Sequence, residues 1–171
     1  DGEIAIVYAE GAIMPGRSDD MPFGGSQNIG SETFARAMGN ARESDRTDAV
    51  VIRINSPGGS ASASDAIWRE IRRTAEEKPV VVSMGNLAAS GGYWIATAAD
   101  TIVADPLTLT GSIGVFGLYI NASEFLDDKL GITVDQVRTS PYADMLSGTS
   151  PMGEQEHAVL ERFVEQTYIE F

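Results

Sequence analysis

Two short apolar runs constrain this chain more than anything else in it. Residues 49–54 read AVVIRI and residues 79–84 read PVVVSM. Each has the length and β-branched content of a buried strand, and each is broken off sharply by a glycine-containing stretch. After the first, Asn55-Ser56-Pro57-Gly58-Gly59-Ser60 breaks the pattern, and a helix is expected from about Ala63 to Ala75 with Ala66, Ile67 and Ile71 on one side. After the second, Gly85-Asn86 reads as a turn and Ser90 to Ala98 as a short helix. Strands alternating with helices imply βαβ units and a parallel sheet, hence an α/β fold.

The remaining segments fit that scheme. Glu3 to Ala9 alternates as a strand, and Ser31 with Glu32 opens a helix running to about Arg42. Between them, residues 10–30 are rich in Gly, Pro, Asp, Ser and Asn and read as one long loop. A loop of that length in a compact domain is often functional. Thr101 to Ala104 reads as a strand, and Thr108 to Phe116 as a turn leading into a strand or helix start. Ala122 to Leu130 is helical, with Gly131 as its stop and Ile132 to Val137 as a last strand. Ser150-Pro151 supplies a cap and first-turn proline for a final helix from about Met152. Leu160, Phe163, Val164, Tyr168 and Phe171 form its apolar stripe.

Composition removes several function classes. The 171 residues suit a single domain. Twelve basic against 25 acidic residues give a net charge of -13, which disfavours nucleic acid and a polybasic grip on anionic lipid. The absence of cysteine excludes disulfides and thiolate zinc sites, and neither a metal nor a cofactor is expected. No run of 18 apolar residues is present. A strand directly after Asp1, and an apparent helix still running at Phe171, read as cuts in a longer protein.

The chemistry concentrates at the two glycine-rich strand ends. Ser90, after a tight turn and before a helix, is placed to expose its Oγ, and the small neighbours Ala89, Gly91 and Gly92 let a substrate backbone approach. The competing reading makes Ser90 a plain helix cap. Ser56-Pro57-Gly58-Gly59 can aim main-chain N–H groups at a developing oxyanion, or it is an ordinary strand-to-helix turn. A phosphate cradle is disfavoured, because no Lys-Ser/Thr pair follows. Both segments sit after strands, where open parallel sheets place ligands.

A proton acceptor for Ser90 is harder to find. His157 is the only histidine and reads as a solvated helix residue beside Glu154 and Glu156. A lysine would need its pKa lowered by about 3 units to be neutral near pH 7.5. Lys78 follows Glu76 and Glu77, and Lys129 follows Asp127 and Asp128, so both read as solvated ion-pairing side chains.

Taken together, Asn55–Ser60, then Met84-Gly-Asn-Leu-Ala-Ala-Ser90-Gly-Gly-Tyr-Trp94, then Leu109-Thr-Gly-Ser112-Ile-Gly114 resemble the signal peptide peptidase A family, peptidase family S49, in order and spacing over nearly the whole chain. The resemblance implies the crotonase-like fold shared with the ClpP peptidases. It implies Ser90 as the nucleophile of a Ser-Lys dyad, oxyanion donors at the N–H groups of Gly59 and Gly91, and Ser112 holding the lysine amine. The lysine is a departure, since its position in the short family members matches Ala143, within Thr139 to Ser147. That pattern fits the C-terminal copy of the long, two-copy form, whose N-terminal domain supplies the lysine. The long form further implies a homotetramer anchored in the bacterial inner membrane with its sites on the periplasmic side, an anchor outside this segment, and cleaved signal peptides as substrates. Two other functions fit the same residues: a non-catalytic scaffold half, which Ala143 favours, and an acyl-CoA enzyme using Glu10, Glu32 or Glu70.

Overall fold

The computed structural model describes residues 2–18 and 28–171, in two compact units, Asp1–Gly114 and Val115–Phe171. The first unit is built on a parallel sheet. Strand β1 (Glu3–Glu10) pairs with β4 (Thr47–Ser56), and β4 with β5 (Val80–Ala89). The far side of β5 carries β6 (Thr101–Val103) along its first half and β7 (Leu109–Gly111) along its end. The expected parallel α/β arrangement is therefore observed.

Strand periodicity sorts the side chains. On β4, Val50, Ile52, Ile54 and Ser56 face the core, while the intervening residues face away. Onto that face pack α1 (Ser31–Glu43), α2 (Ala61–Ala75) and α3 (Gly91–Ala96). They contribute Phe34 and Met38, Ile67 and Ile71, and Ile95, all buried. In α2 the buried positions 63, 64, 67, 71 and 74 follow the helical repeat. Each fully buried isoleucine is worth roughly 1.5–3 kcal/mol relative to exposure. Arg42 joins α1 to α2 by an ion pair with Glu70 at 3.1 Å.

Residues 10–30 are not one featureless loop. Strands β2 (Ala12–Met14) and β3 (Asn28–Gly30) pair in parallel, and the part of the expected loop at 19–27 lies outside the described residues. The alternating Ala12-Ile13-Met14 buries only Ile13, whose backbone finds partners on both sides. Lys78 is also not a freely solvated ion-pairing side chain. Its Nζ donates to the carbonyls of Ala41 (3.0 Å) and Ser44 (2.6 Å), satisfying acceptors orphaned at the end of α1.

In the second unit, the expected helix near 122–130 forms with a five-residue π segment, Phe125–Lys129. Gly131 ends it at φ +63, with Ile132 N–H donating to the Leu126 carbonyl six residues back (2.8 Å). Residues 132–137 do not form the expected strand. No ladder partner meets them among the described residues, and alternation alone does not make a strand without one. Helix α4 (Glu154–Glu170) starts later than Met152 and is capped at Gly153, whose N–H donates to the Glu156 carboxylate at 2.7 Å. The carbonyl of Ser150 is instead held by the Tyr119 hydroxyl. Of the α4 stripe, Leu160 and Val164 are half-buried, whereas Phe163 and Tyr168 are exposed.

The core assignment predicts that Ile71→Ala lowers the unfolding free energy of this chain by about 2–5 kcal/mol. Urea titration followed by circular dichroism checks it.

Candidate active site

The site begins with an irregularity in β5. Its register against β4 runs from Ile54↔Met84 to Ser56↔Ala88, so β5 carries two extra residues over that span. The expected turn at Gly85-Asn86 is thus a bulge inside a longer strand. A Cβ on Gly85 would sit 3.1 Å from the Ile54 carbonyl, which favours glycine there. The main-chain groups that the bulge releases find side-chain partners. Leu87 N–H donates to Asn55 Oδ1 (3.2 Å), and the Thr108 hydroxyl donates to the Gly85 carbonyl (2.8 Å). Thr110 continues the seam by donating to the Ala88 carbonyl at 2.7 Å.

Beyond the bulge, β5 and β7 end side by side, with Ala89 opposite Gly111. Ser90 N–H donates to the Gly111 carbonyl at 2.8 Å, which sets Ser90 and Ser112 at adjacent strand ends. Ser90 has φ 51 and ψ -124, and Ser112 has φ 55. They are the only non-glycine residues with positive φ among the described residues. Such conformations cost about 1–3 kcal/mol and cluster at functional sites. Ser90 does stand at the start of α3, but its side chain makes no capping bond. Its carbonyl accepts from Tyr93 N–H (2.8 Å) and Trp94 N–H (2.9 Å) instead. The cap alternative therefore does not account for the hydroxyl.

The Gly58-Gly59 loop meets this turn backbone to backbone. Ser56 is fully buried, and its Oγ accepts from Gly58 N–H at 3.1 Å. Gly58 adopts φ +93, and a Cβ there would lie 2.6 Å from Gly91 N and 2.9 Å from Ser90 Cβ. A Cβ on Gly91 would lie 3.3 Å from both Gly58 Cα and Gly59 N. The outer side of the loop is held by β2. Ile13 N–H donates to the Gly58 carbonyl and Ser60 N–H donates to the Ile13 carbonyl, both at 2.9 Å. The start of the expected functional loop thus braces this turn. Neither Gly59 N–H nor Gly91 N–H has an acceptor among the described residues. Ser90, Gly59, Gly91 and Ser112 are brought together at one end of the sheet.

The lysine of the first unit is not among them. In residues 1–114, Lys78 is the only lysine and there is no histidine. Lys78 precedes β5 and Ser90 follows it, so ten strand residues, about 30 Å at ~3.3 Å each, separate them. In the second unit Lys129 and His157 are exposed, as expected, and Ala143 lies in a run of turns with its N–H directed to the Ser140 carbonyl at 3.3 Å.

Sequence reading missed the supporting hydroxyls. Ser56 and Ser64 are fully buried, and Asn55, Thr108 and Thr110 hold the bulge and the strand end. The available signal for Ser64 was a serine on the same helical stripe as Ile67 and Ile71.

A serine on a strained strand-to-helix turn, set against two unpaired main-chain donors on parallel βαβ units, defines the class of ClpP-like α/β proteins. Comparison with known proteins agrees. The Clp protease profile matches residues 27–104, and the Peptidase family S49 profile matches residues 72–171. The chain belongs to peptidase family S49. Protease 4 of Salmonella typhi is 45% identical over 171 residues, covering 99% of this chain and 26% of that protein. Protease 4 of Haemophilus influenzae is 40% identical over 170 residues, covering 99% and 26% respectively. The chloroplastic serine protease SPPA of Arabidopsis thaliana is 40% identical over 167 residues, covering 97% and 24%. The chain thus spans about a quarter of the length of these relatives. Among solved structures, ClpP1 from Listeria monocytogenes is 25% identical, covers 55% of this chain and 46% of its own, and has a TM-score of 0.41.

The close approach at Gly58 predicts that Gly58→Ala is destabilising by at least about 1–2 kcal/mol from the positive φ alone, with the contact to Gly91 N added. Thermal and urea unfolding of the variant beside the parent chain give the measurement. Gly39→Ala, at a position where no heavy atom lies within 4 Å of the added Cβ, serves as the benign comparison.

Proposed function

We propose that this chain is the nucleophile-bearing part of a membrane-associated serine peptidase, acting through a Ser-Lys dyad whose lysine lies outside these residues. The observation that carries the reading is the Ser90 turn. Its backbone is strained, its side chain caps nothing, and it abuts the Gly58-Gly59 loop.

In this reading, Ser90 Oγ attacks a peptide carbonyl while its proton passes to a neutral lysine amine. The Gly59 and Gly91 N–H groups hold the resulting oxyanion. One such donor is typically worth about 10²–10³ in kcat. The protonated lysine then gives its proton to the leaving amine, and an acyl-Ser90 ester remains. Water, deprotonated by the same lysine, hydrolyses that ester and regenerates the serine. Ser112, next to Ser90 at the paired strand ends, orients the amine.

The source of the lysine is a second copy of the domain in a longer chain. Support comes from the length of the relatives and from the engagement of Lys78 at the end of α1. Cleaved signal peptides are the proposed substrates. A relative from Enterococcus faecium, 33% identical over 141 residues, bears the name "Putative signal peptide peptidase SppA". No helix among the described residues is long and apolar enough to cross a membrane. The proposed location is the bacterial inner membrane, with these residues on the periplasmic side. The proposed assembly of the full-length protein is a homotetramer.

The lack of a lysine or histidine near Ser90 within the first unit also supports a second reading, a scaffold half without catalysis. The two separate in the full-length protein. A fluorophosphonate probe is expected to label it at Ser90, and Ser90→Ala is expected to abolish both labelling and peptide cleavage. Equal labelling of Ser90→Ala overturns the nucleophile assignment. A full-length protein with its own lysine intact that cleaves no peptide supports the scaffold. The isolated 171-residue chain is expected to hydrolyse a fluorogenic apolar peptide at no more than ~10⁻³ of the full-length rate, because oxyanion and binding terms remain without a base. Ser90-dependent turnover by the isolated chain near the full-length rate overturns the split dyad.

A further inference from the structure

Ser64 has a place in the site that its position on a helix does not require. It is fully buried on α2, on the stripe that carries Ile67 and Ile71. Its Oγ donates to the Ser60 carbonyl at 2.9 Å, an acceptor that the Ser64 N–H already engages at 2.9 Å. The helix therefore does not need the hydroxyl to satisfy that carbonyl. The other side of the hydroxyl faces Gly91, where a Cβ would come within 2.4 Å of the Ser64 Oγ. One oxygen thus touches both halves of the donor pair. It bonds to the residue directly after Gly59, and it rests against Gly91 itself.

We infer that Ser64 is a positioning residue which sets the spacing of the Gly59 and Gly91 N–H groups. The inference rests on the reading of Ser90 as nucleophile and of those two groups as oxyanion donors. The physical reason is geometric. Main-chain donors have no side chain of their own to adjust, so their separation is set by what lies behind them. The loop is held on its outer side by Ile13 and on its inner side by Ser56 and Ser64. Ser64 sets its Oγ against Gly91, while Ser56 lies behind the next residue, Gly92. Without its Oγ, Gly91 keeps only the Gly58 and Gly59 backbone beside it and loses the side-chain abutment, while the helix keeps its backbone bonds. A misplacement of about 1 Å in such a site can cost about 10²-fold in rate. The effect belongs to the transition state, because the donors bind the oxyanion more strongly than the ground-state carbonyl.

The test uses the full-length protein and its Ser64→Ala and Ser90→Ala variants, with a fluorogenic apolar peptide amide as substrate. Ser64→Ala is expected to lower kcat about 10- to 100-fold while KM changes less than about twofold. Affinity for a peptidyl boronate, whose oxygen occupies the oxyanion position, is expected to fall in proportion to kcat/KM. Affinity of the Ser90→Ala background for the intact peptide is expected to be unaffected by adding Ser64→Ala. Ser64→Cys, which keeps a weak donor at the same place, is expected to recover part of the lost kcat. If turnover depends on Ser90 and Ser64→Ala keeps kcat within twofold, the positioning role is overturned while the nucleophile reading stands. A parallel loss of peptide affinity and melting temperature, with boronate affinity falling no more than peptide affinity, also overturns it, since that is the signature of a merely structural residue. If Ser90→Ala turns over as fast as the parent, the nucleophile reading fails and takes this inference with it.

Discussion

The contact of Gly58 and Gly59 with Gly91 leaves the first unit little tolerance for change. Two chain segments meet there largely through main-chain atoms, with Gly91 N too near for any side chain that Gly58 could carry. Contact that close requires both strand ends to be fixed. On one side, β4 delivers the loop through Ser56, whose buried hydroxyl turns back onto Gly58 N–H. On the other, β5 delivers Ser90 and Gly91. The sheet register, the helix packing and the short β2 brace all contribute to setting this one separation.

The β5 bulge is how that placement is reached. A parallel pair in regular register would bring β4 and β5 to their ends together, with no offset between the loop and the serine. Two extra residues in β5 shift its end relative to β4. Buried or half-buried main-chain groups left without a ladder partner are costly. Here Asn55 and Thr108 take up two of them, and both sit on neighbouring strand ends. The same seam carries Thr110 and the Gly111 carbonyl, which receives the Ser90 N–H. Strain at Ser90 and Ser112 is sustained because the neighbouring backbone is tied on several sides.

Much of this is legible from residue pattern. The β-branched runs at 49–54 and 79–84 locate the central strands, and the glycine clusters locate the strand ends that meet. The pattern places Ser90 at a helix start but does not say which way its hydroxyl points, since a capping serine and an exposed one share the same spelling. Gly85-Asn86 reads as a turn because glycine and asparagine favour turns, yet the same residues serve a bulge when a neighbouring strand continues past them. Residues 132–137 alternate like a strand, but a strand exists only through its partner, which local sequence does not reveal. Ala12–Met14 is the converse case, a three-residue strand too short to register against its glycine-rich surroundings. Lys78 reads as an ion-pairing residue because its sequence neighbours are acidic, whereas its partners are carbonyls 34 and 37 residues away.

The bulge-and-glycine arrangement also bears on how such a site can change over generations. Hydrogen-bond donors made of peptide N–H groups survive every side-chain exchange that leaves the backbone path intact. An amine borne on a side chain is lost by a single codon change. Under the proposed mechanism the two contributions are therefore unequal in heritability: a cradle of main-chain donors is preserved by the fold, while a side-chain proton acceptor can vanish from one gene segment and be retained in another. If the domain is duplicated as proposed, the copies can divide that labour without rebuilding the sheet, because the amine is no part of what holds the sheet together.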